Sequence, residues 1–314
     1  MLPKFLLIGA QKSATSLLQA ALAEHPQVYL PRGEVPFFED GDYVAGDLGP
    51  LERLYAAAPP GTLPGLKRPA YLHIPECTAR IAAALPDAKL IVILRNPVDR
   101  AVSAYFHYMR HRSIPLAPLE TGLQRILDAS PAAGPRAREI LEFGLYGKHL
   151  GRYFQHFDRR QFFIERQERF LADRLGTYRR LCGFLGVDPA FTPRAFNRYV
   201  NQGVYSFSRL RLQRLARALS HETFAGGMRH RLRRNNPHGL ALSYAVRLVD
   251  QALRLVEGRT PPPRLSPALR ERLVAYYRDD ILRLEELLGE DLSAWRRVER
   301  APAAPAATPA GQTA

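Results

Sequence analysis

The sequence predicts an α/β fold in three layers, with a central, mostly parallel sheet flanked by helices. Three observations predict it. Phe5 to Ile8 is an apolar, β-favouring run that meets Gly9 and a small polar turn, after which Leu17, Leu18, Ala21 and Leu22 take helical spacing. Leu90 to Leu94 is an uninterrupted apolar run, the pattern of a strand buried on both faces of a parallel sheet, and Asn96-Pro97 supplies an N-cap and a first helical residue. Short extended pieces at Val28–Leu30, Gly65–Leu72 and Gln161–Glu165 each lead towards a helical pattern, so strands and helices alternate.

Composition bounds the rest. The chain has 314 residues, 46% of them apolar, enough for a sizeable core. One domain over 1–300 is expected, followed by an uncharged Ala/Pro/Thr tail at 301–314 that reads as disordered. Met1-Leu2-Pro3-Lys4 runs straight into the first strand, and no stretch approaches the ~18 consecutive apolar residues of a spanning helix. A cytoplasmic protein without a transmembrane segment is therefore expected, with peripheral membrane contact left open. Cys77 and Cys182 fall in helical patterns among apolar neighbours, as buried free thiols do, and two cysteines exclude a cysteine-built metal site.

Net charge is +15, which calls for an anionic partner: nucleic acid, polysaccharide or a phosphorylated cofactor. Only five of the 45 basic residues are Lys, at positions 4, 12, 67, 89 and 148. Against that background a Lys marks a place for a compact, mobile ammonium. No RNA-binding or zinc-finger signature accompanies the charge, so nucleic acid is not expected as a partner.

The turn Gly9-Ala10-Gln11-Lys12-Ser13-Ala14-Thr15-Ser16 joins the first strand to the first helix. Such a turn offers free N–H groups and the positive end of a helix dipole to an anion, and Thr15 and Ser16 can cap the helix or add hydroxyls. An ATP-binding P-loop needs a second Gly followed by Lys and then Ser or Thr, whereas Ala14 stands where that Gly is wanted. The loop is therefore a phosphate cradle of another pattern. Its bland alternative is a plain strand-turn-helix opening with a surface Lys.

Further on, Pro31-Arg32-Gly33-Glu34-Val35-Pro36-Phe37-Phe38-Glu39 places a carboxylate, Glu34, just beyond a short strand. A pocket that partly desolvates it would suit it to general-base work; otherwise it is a loop Glu beside two anchoring Phe. Lys67 lies in the next extended piece. Residues 41–62 read as surface around a short helix near Leu51 to Ala58, and a further helix spans about Pro75 to Leu85.

Arg95 ends the strong second strand, where ligands of open α/β sheets bind, and can fork onto a phosphate. Ser103, about two turns into the helix that follows, can add a hydroxyl. Their alternatives are a salt bridge to Asp99 and a helix-surface hydroxyl. Residues 113–137 suggest a loop or lid over an acceptor, with a helix from Pro118 to Asp128. One amphipathic helix is expected over Glu142–Phe157, others over Leu175–Leu185 and from Ser266-Pro267 to Leu288. Between Arg194 and Leu240 stand ten Arg and a single acid, Glu222. That run reads as a solvated helix face, or as contact with cofactor or acceptor, with the loop Asn201 to Arg209 favoured for the cofactor.

Taken together, Gln11 to Leu17 and Ile93 to Tyr105 resemble the 5′-phosphosulfate loop and the 3′-phosphate motif of the sulfotransferases that use 3′-phosphoadenosine 5′-phosphosulfate (PAPS). Glu34 to Phe38, Lys67 to Tyr71, Tyr146 to Phe157 and the closing Leu-Gly-Glu-Asp-Leu-Ser-Ala-Trp are similar to the branch containing heparan sulfate sulfotransferases and bacterial relatives. The resemblance implies a P-loop-like fold, PAPS as sulfuryl donor, no metal, and in-line transfer to an acceptor hydroxyl of a carbohydrate or glycolipid. It implies Glu34 as general base and Lys12 and Lys67 as catalytic cations. Gln11, Lys12, Ser13, Ala14, Thr15, Ser16, Arg95, Ser103 and Arg209 would bind the donor. Two departures stand out: Ala14 replaces the family's Gly, which fits if its φ is negative, and Pro36 replaces a His that supports the base in the heparan sulfate enzymes. A kinase with a degenerate phosphate loop and a non-catalytic polyanion-binding protein are the alternatives; the kinase would need a Mg²⁺-holding acid where Arg95 stands.

Overall fold

The computed structural model describes residues 1–39, 41, 43–198, 203–224, 229–233, 236–258 and 260–298. The tail expected at 301–314 lies outside them. Strands β1 (Phe5–Gly9), β2 (Val28–Tyr29), β3 (Leu63–Lys67), β4 (Lys89–Leu94) and β5 (Phe162–Arg166) form one sheet in the order β2-β3-β1-β4-β5. Every neighbouring pair in it is parallel. A separate antiparallel pair, β6 (His221–Phe224) and β7 (Arg229–Leu232), stands apart from it.

Side chains of a strand alternate between faces, and both faces of this sheet are apolar. Leu6, Ile8, Leu90, Val92 and Leu94 join one core, packed under helices Pro97–Arg110, Tyr146–Tyr153 and Pro267–Leu288. Phe5, Leu7, Ile91 and Ile93 join a second core on the opposite face, with helices Thr15–Ala23 and Arg174–Leu185. These are the three layers expected from the alternating strand and helix patterns. Cys77 and Cys182 are buried free thiols, one in each core.

The chain moves from β1 out to β2 and β3 on one side, then returns to place β4 on the other. Strand order therefore reverses at β1, and the crevice beyond the C-terminal ends of β1 and β4 is the position where such sheets bind ligands. Asn96 caps the helix after β4 as expected, accepting from the Val98 and Asp99 N–H groups at 2.9 and 3.4 Å.

Several elements differ from expectation. The single helix expected over Glu142–Phe157 is two, Glu139–Glu142 and Tyr146–Tyr153. Gly144 lies between them with the Tyr277 ring so close that a Cβ would sit 2.9 Å from it. The short helix near Leu51 to Ala58 is instead Gly49–Arg53. The Arg-rich stretch contains a full helix, Phe207–Ser220, which packs on a second, Pro237–Glu257, that the residue pattern had not suggested.

Candidate active site

The turn after β1 is shaped by two residues in the left-handed region, Lys12 (φ 72°) and Ala14 (φ 63°). A negative φ at Ala14 was the expected way for Ala to replace Gly; the structure shows the opposite, because the chain must reverse tightly into the helix there. An L-residue in that conformation costs about 1–2 kcal/mol. Ala14 is the helix N-cap and offers no side-chain cap, while Thr15 and Ser16 lie inside the first turn. Their N–H groups precede any intrahelical acceptor and are the natural partners of an anion. Ser13, expected among the donor-binding residues, is fully buried beside the Tyr146 hydroxyl and does not line the cavity.

Arg95 reaches this turn directly. Its guanidinium donates to the Lys12 carbonyl oxygen at 3.1 Å, and Asp99, the expected alternative partner, instead meets Arg270 at 3.3 Å. Gln11, Lys12, Ala14, Thr15, Ser16, Glu34, Arg95 and Ser103 all line a single cavity of about 1060 Å³. Ser103 faces it from the helix after β4, with only 8% of its surface exposed.

Glu34 is held from two sides. Its Oε1 lies 3.0 Å from the Lys67 ammonium, its Oε2 2.9 Å from the Arg68 guanidinium. Lys67 is itself buried and donates to the Ser16 hydroxyl at 3.0 Å, so one ammonium ties the carboxylate to the anion-cradling helix. Arg68 also grips Glu39 through two hydrogen bonds. The desolvating pocket that would suit Glu34 to general-base work does not form around it. The side chain is 39% exposed at the cavity rim, and cations rather than apolar walls surround the carboxylate.

Burial pushes the Lys12 ammonium down to about 8, and Arg110, Arg95 and Arg100 push it the same way, against a smaller opposing pull from Glu34. The excess of positive charge around Lys12 is what an anionic ligand would neutralise. His107 lines the cavity one turn beyond Ser103, and burial, with Lys12 and Arg110 near, holds it well below the ordinary imidazole range. Its spacing from Ser103, i to i+4 on one helix face, was the signal by which the sequence could have revealed it. The opposite wall is a braced set: Arg136 donates to Glu139 at 2.7 Å, and the Tyr108 hydroxyl donates to the same carboxylate at 2.6 Å. Arg136 and Ser113 are the contributions of the 113–137 region to the cavity.

Arg209 is not among the lining residues. Its guanidinium pairs with Asp250 at 2.9 Å, between helices Phe207–Ser220 and Pro237–Glu257. Of the loop favoured for the cofactor, Gly203 and Tyr205 line the cavity, whereas Asn201 and Gln202 lie outside the described residues.

Residues 2–234 match the model of the family described as sulfotransferase domain. The chain is 35% identical over 205 residues to mouse heparan sulfate glucosamine 3-O-sulfotransferase 3B1, a match covering 64% of this chain and 50% of the relative. It is 30% identical over 295 residues to human heparan sulfate glucosamine 3-O-sulfotransferase 6, covering 92% of this chain and 72% of that one. The chain thus spans about half the length of the mouse relative. Among solved structures, a sulfotransferase from Alicyclobacillus acidocaldarius superposes with a TM-score of 0.65 at 26% identity, covering 95% of this chain and all of the other.

Proposed function

Since the chain belongs to the sulfotransferase family, we propose that it moves the sulfuryl group of PAPS to an acceptor hydroxyl, and that the cavity beyond β1 and β4 is where it does so. The observation that carries this reading is the hydrogen bond from Arg95 to the Lys12 carbonyl. It sets the turn and the strand tip side by side, and Lys12 and Arg95 line the same cavity, which supports reading them as the two phosphate sites of one nucleotide.

In this reading Lys12, the first-turn N–H groups and Ser16 receive the 5′-phosphosulfate, and Arg95 and Ser103 receive the 3′-phosphate. The surplus of cations about Lys12 supports an anionic occupant. The acceptor oxygen attacks sulfur in line, the bond from sulfur to the bridging oxygen breaks, and 3′-phosphoadenosine 5′-phosphate departs. Glu34 takes the acceptor proton, and Lys12 neutralises the charge growing on the leaving phosphate. Lys67 and Arg68 hold the Glu34 carboxylate in register with the turn, and each of its oxygens keeps a lone pair for the acceptor. The acceptor is proposed to be a carbohydrate or glycolipid hydroxyl, in line with the names of the relatives. The two free thiols fit a reducing, cytoplasmic setting.

Transfer of labelled sulfate from PAPS to a panel of cell extracts tests the reading. Label should enter a hydroxyl-bearing product, and Glu34→Gln should keep nucleotide binding while lowering turnover by about 10²–10⁴-fold. Unchanged turnover in Glu34→Gln would remove Glu34 from the role of base.

A further inference from the structure

Helix Pro237–Glu257 uses one face against helix Phe207–Ser220 and, among the described residues, leaves the other bare. Its acids turn inwards: Asp250 meets Arg209 at 2.9 Å and Gln213 at 2.8 Å, and Glu257 accepts from Ser208 at 2.7 Å. On the outer face Leu242, Leu248, Val249, Leu255 and Val256 are between 49% and 85% exposed. At about 100° per residue these fall in one stripe, with Ala245 and Ala252 between them, running for roughly 22 Å and containing no charged side chain. Arg247 and Arg254, both exposed and seven residues apart, run along one flank. An exposed apolar area on the order of 500 Å² is at the upper end of what a monomer shows without use. The helix lies beyond residues 2–234, the part of the chain matched to the family.

Two observations select the occupant. The chain carries a net charge of +15, which repels a second copy and attracts an anionic surface. The stripe also falls short of the about 800 Å² that each partner buries in a standard protein interface. A helix with an apolar stripe, a charged opposite face and flanking Arg is instead shaped to lie in the plane of a lipid headgroup layer. It does not span one; no described helix is long and apolar enough to cross a membrane.

We propose that the exposed stripe of helix Pro237–Glu257 docks the protein on an anionic phospholipid surface. Thr260 and Pro262, just past the helix end, line the active-site cavity. Docking through this helix would bring that edge of the cavity towards the headgroups. The docking itself does not depend on the reaction proposed above.

Vesicle flotation of the whole protein tests it, with phosphatidylcholine alone against phosphatidylcholine mixed with phosphatidylglycerol. The wild type should float with the mixed vesicles and far less with the neutral ones. Leu248→Asp/Leu255→Asp should lose roughly tenfold or more of that binding, as should the milder Leu255→Gln/Val256→Gln, while both keep the wild-type thermal midpoint. Absence of flotation with mixed vesicles, or flotation unchanged by both variants, would overturn the proposal. So would a wild type that sediments as a dimer and becomes monomeric in Leu248→Asp/Leu255→Asp, since the stripe would then belong to a second copy.

Discussion

Replacing Lys12 by Met should stabilise the ligand-free protein while abolishing its use of the donor. Burial and the neighbouring Arg110, Arg95 and Arg100 bring the Lys12 ammonium from 10.5 down to about 8 in the folded chain. The unfolded chain therefore binds this proton more tightly, and below the folded value the native state carries the full penalty of a crowded, buried charge. That penalty is about 3 kcal/mol at pH 7. Between about 8 and 10.5 the folded protein has released the proton and the unfolded chain has not, so wild-type stability rises with pH across that window; at pH 9.5 the penalty has shrunk to about 1.4 kcal/mol. Met keeps the length and apolar stem of Lys without the charge and adopts the same left-handed backbone, so other contributions largely cancel in the difference. Urea denaturation of both proteins at pH 7 and pH 9.5 measures it. The variant should be more stable at pH 7, by an amount that falls at pH 9.5, and should gain no thermal protection from 3′-phosphoadenosine 5′-phosphate. A variant no more stable than wild type at pH 7, or a difference that does not change with pH, would refute the reasoning.

Two further outcomes follow from the same geometry. Ala14→Gly should raise the unfolding free energy by about 1 kcal/mol, because relief of the left-handed strain at φ 63° exceeds the extra entropy that Gly brings to the unfolded chain; urea denaturation reads it, and a loss of stability would contradict the strain. Arg68→Ala removes one of the two cations holding Glu34 and both hydrogen bonds to Glu39. Turnover should fall roughly tenfold with donor affinity nearly unchanged, and Arg68→Lys should recover part of it, since an ammonium replaces the charge but not the fork.

Much of this arrangement could be read from the residues, and the parts that could not share a physical cause. The β1 turn, the buried β4 and the Asn96-Pro97 cap are local: sequence neighbours decide them, and they lie where expected. Glu34, Lys67 and Arg95 were singled out by residue type beside a strand end; Glu34 and Arg95 line one cavity, and Lys67 sits buried behind it, bound to Glu34 and Ser16. What depended on distant packing was hidden. Gly144 breaks a continuous helical pattern because the Tyr277 ring, far along the chain, occupies the space beside it. The Arg-rich run read as a solvated face, yet Arg209 is taken by Asp250, and Arg214 donates to the Met109 and Ile114 carbonyls at 2.6 and 2.9 Å. Arg68 and Glu39 brace Glu34 only once the two loops meet.

The juxtaposition of Lys12 and Arg95 is tested most directly by titration calorimetry in Mg²⁺-free buffer. Wild type should bind 3′-phosphoadenosine 5′-phosphate roughly 10- to 100-fold more tightly than adenosine 5′-phosphate, the worth of one charge-assisted Arg–phosphate contact, and Arg95→Ala should erase the difference. Equal affinity for the two nucleotides in the wild type, or a preference that survives Arg95→Ala, would contradict a single nucleotide gripped between the turn and the strand tip.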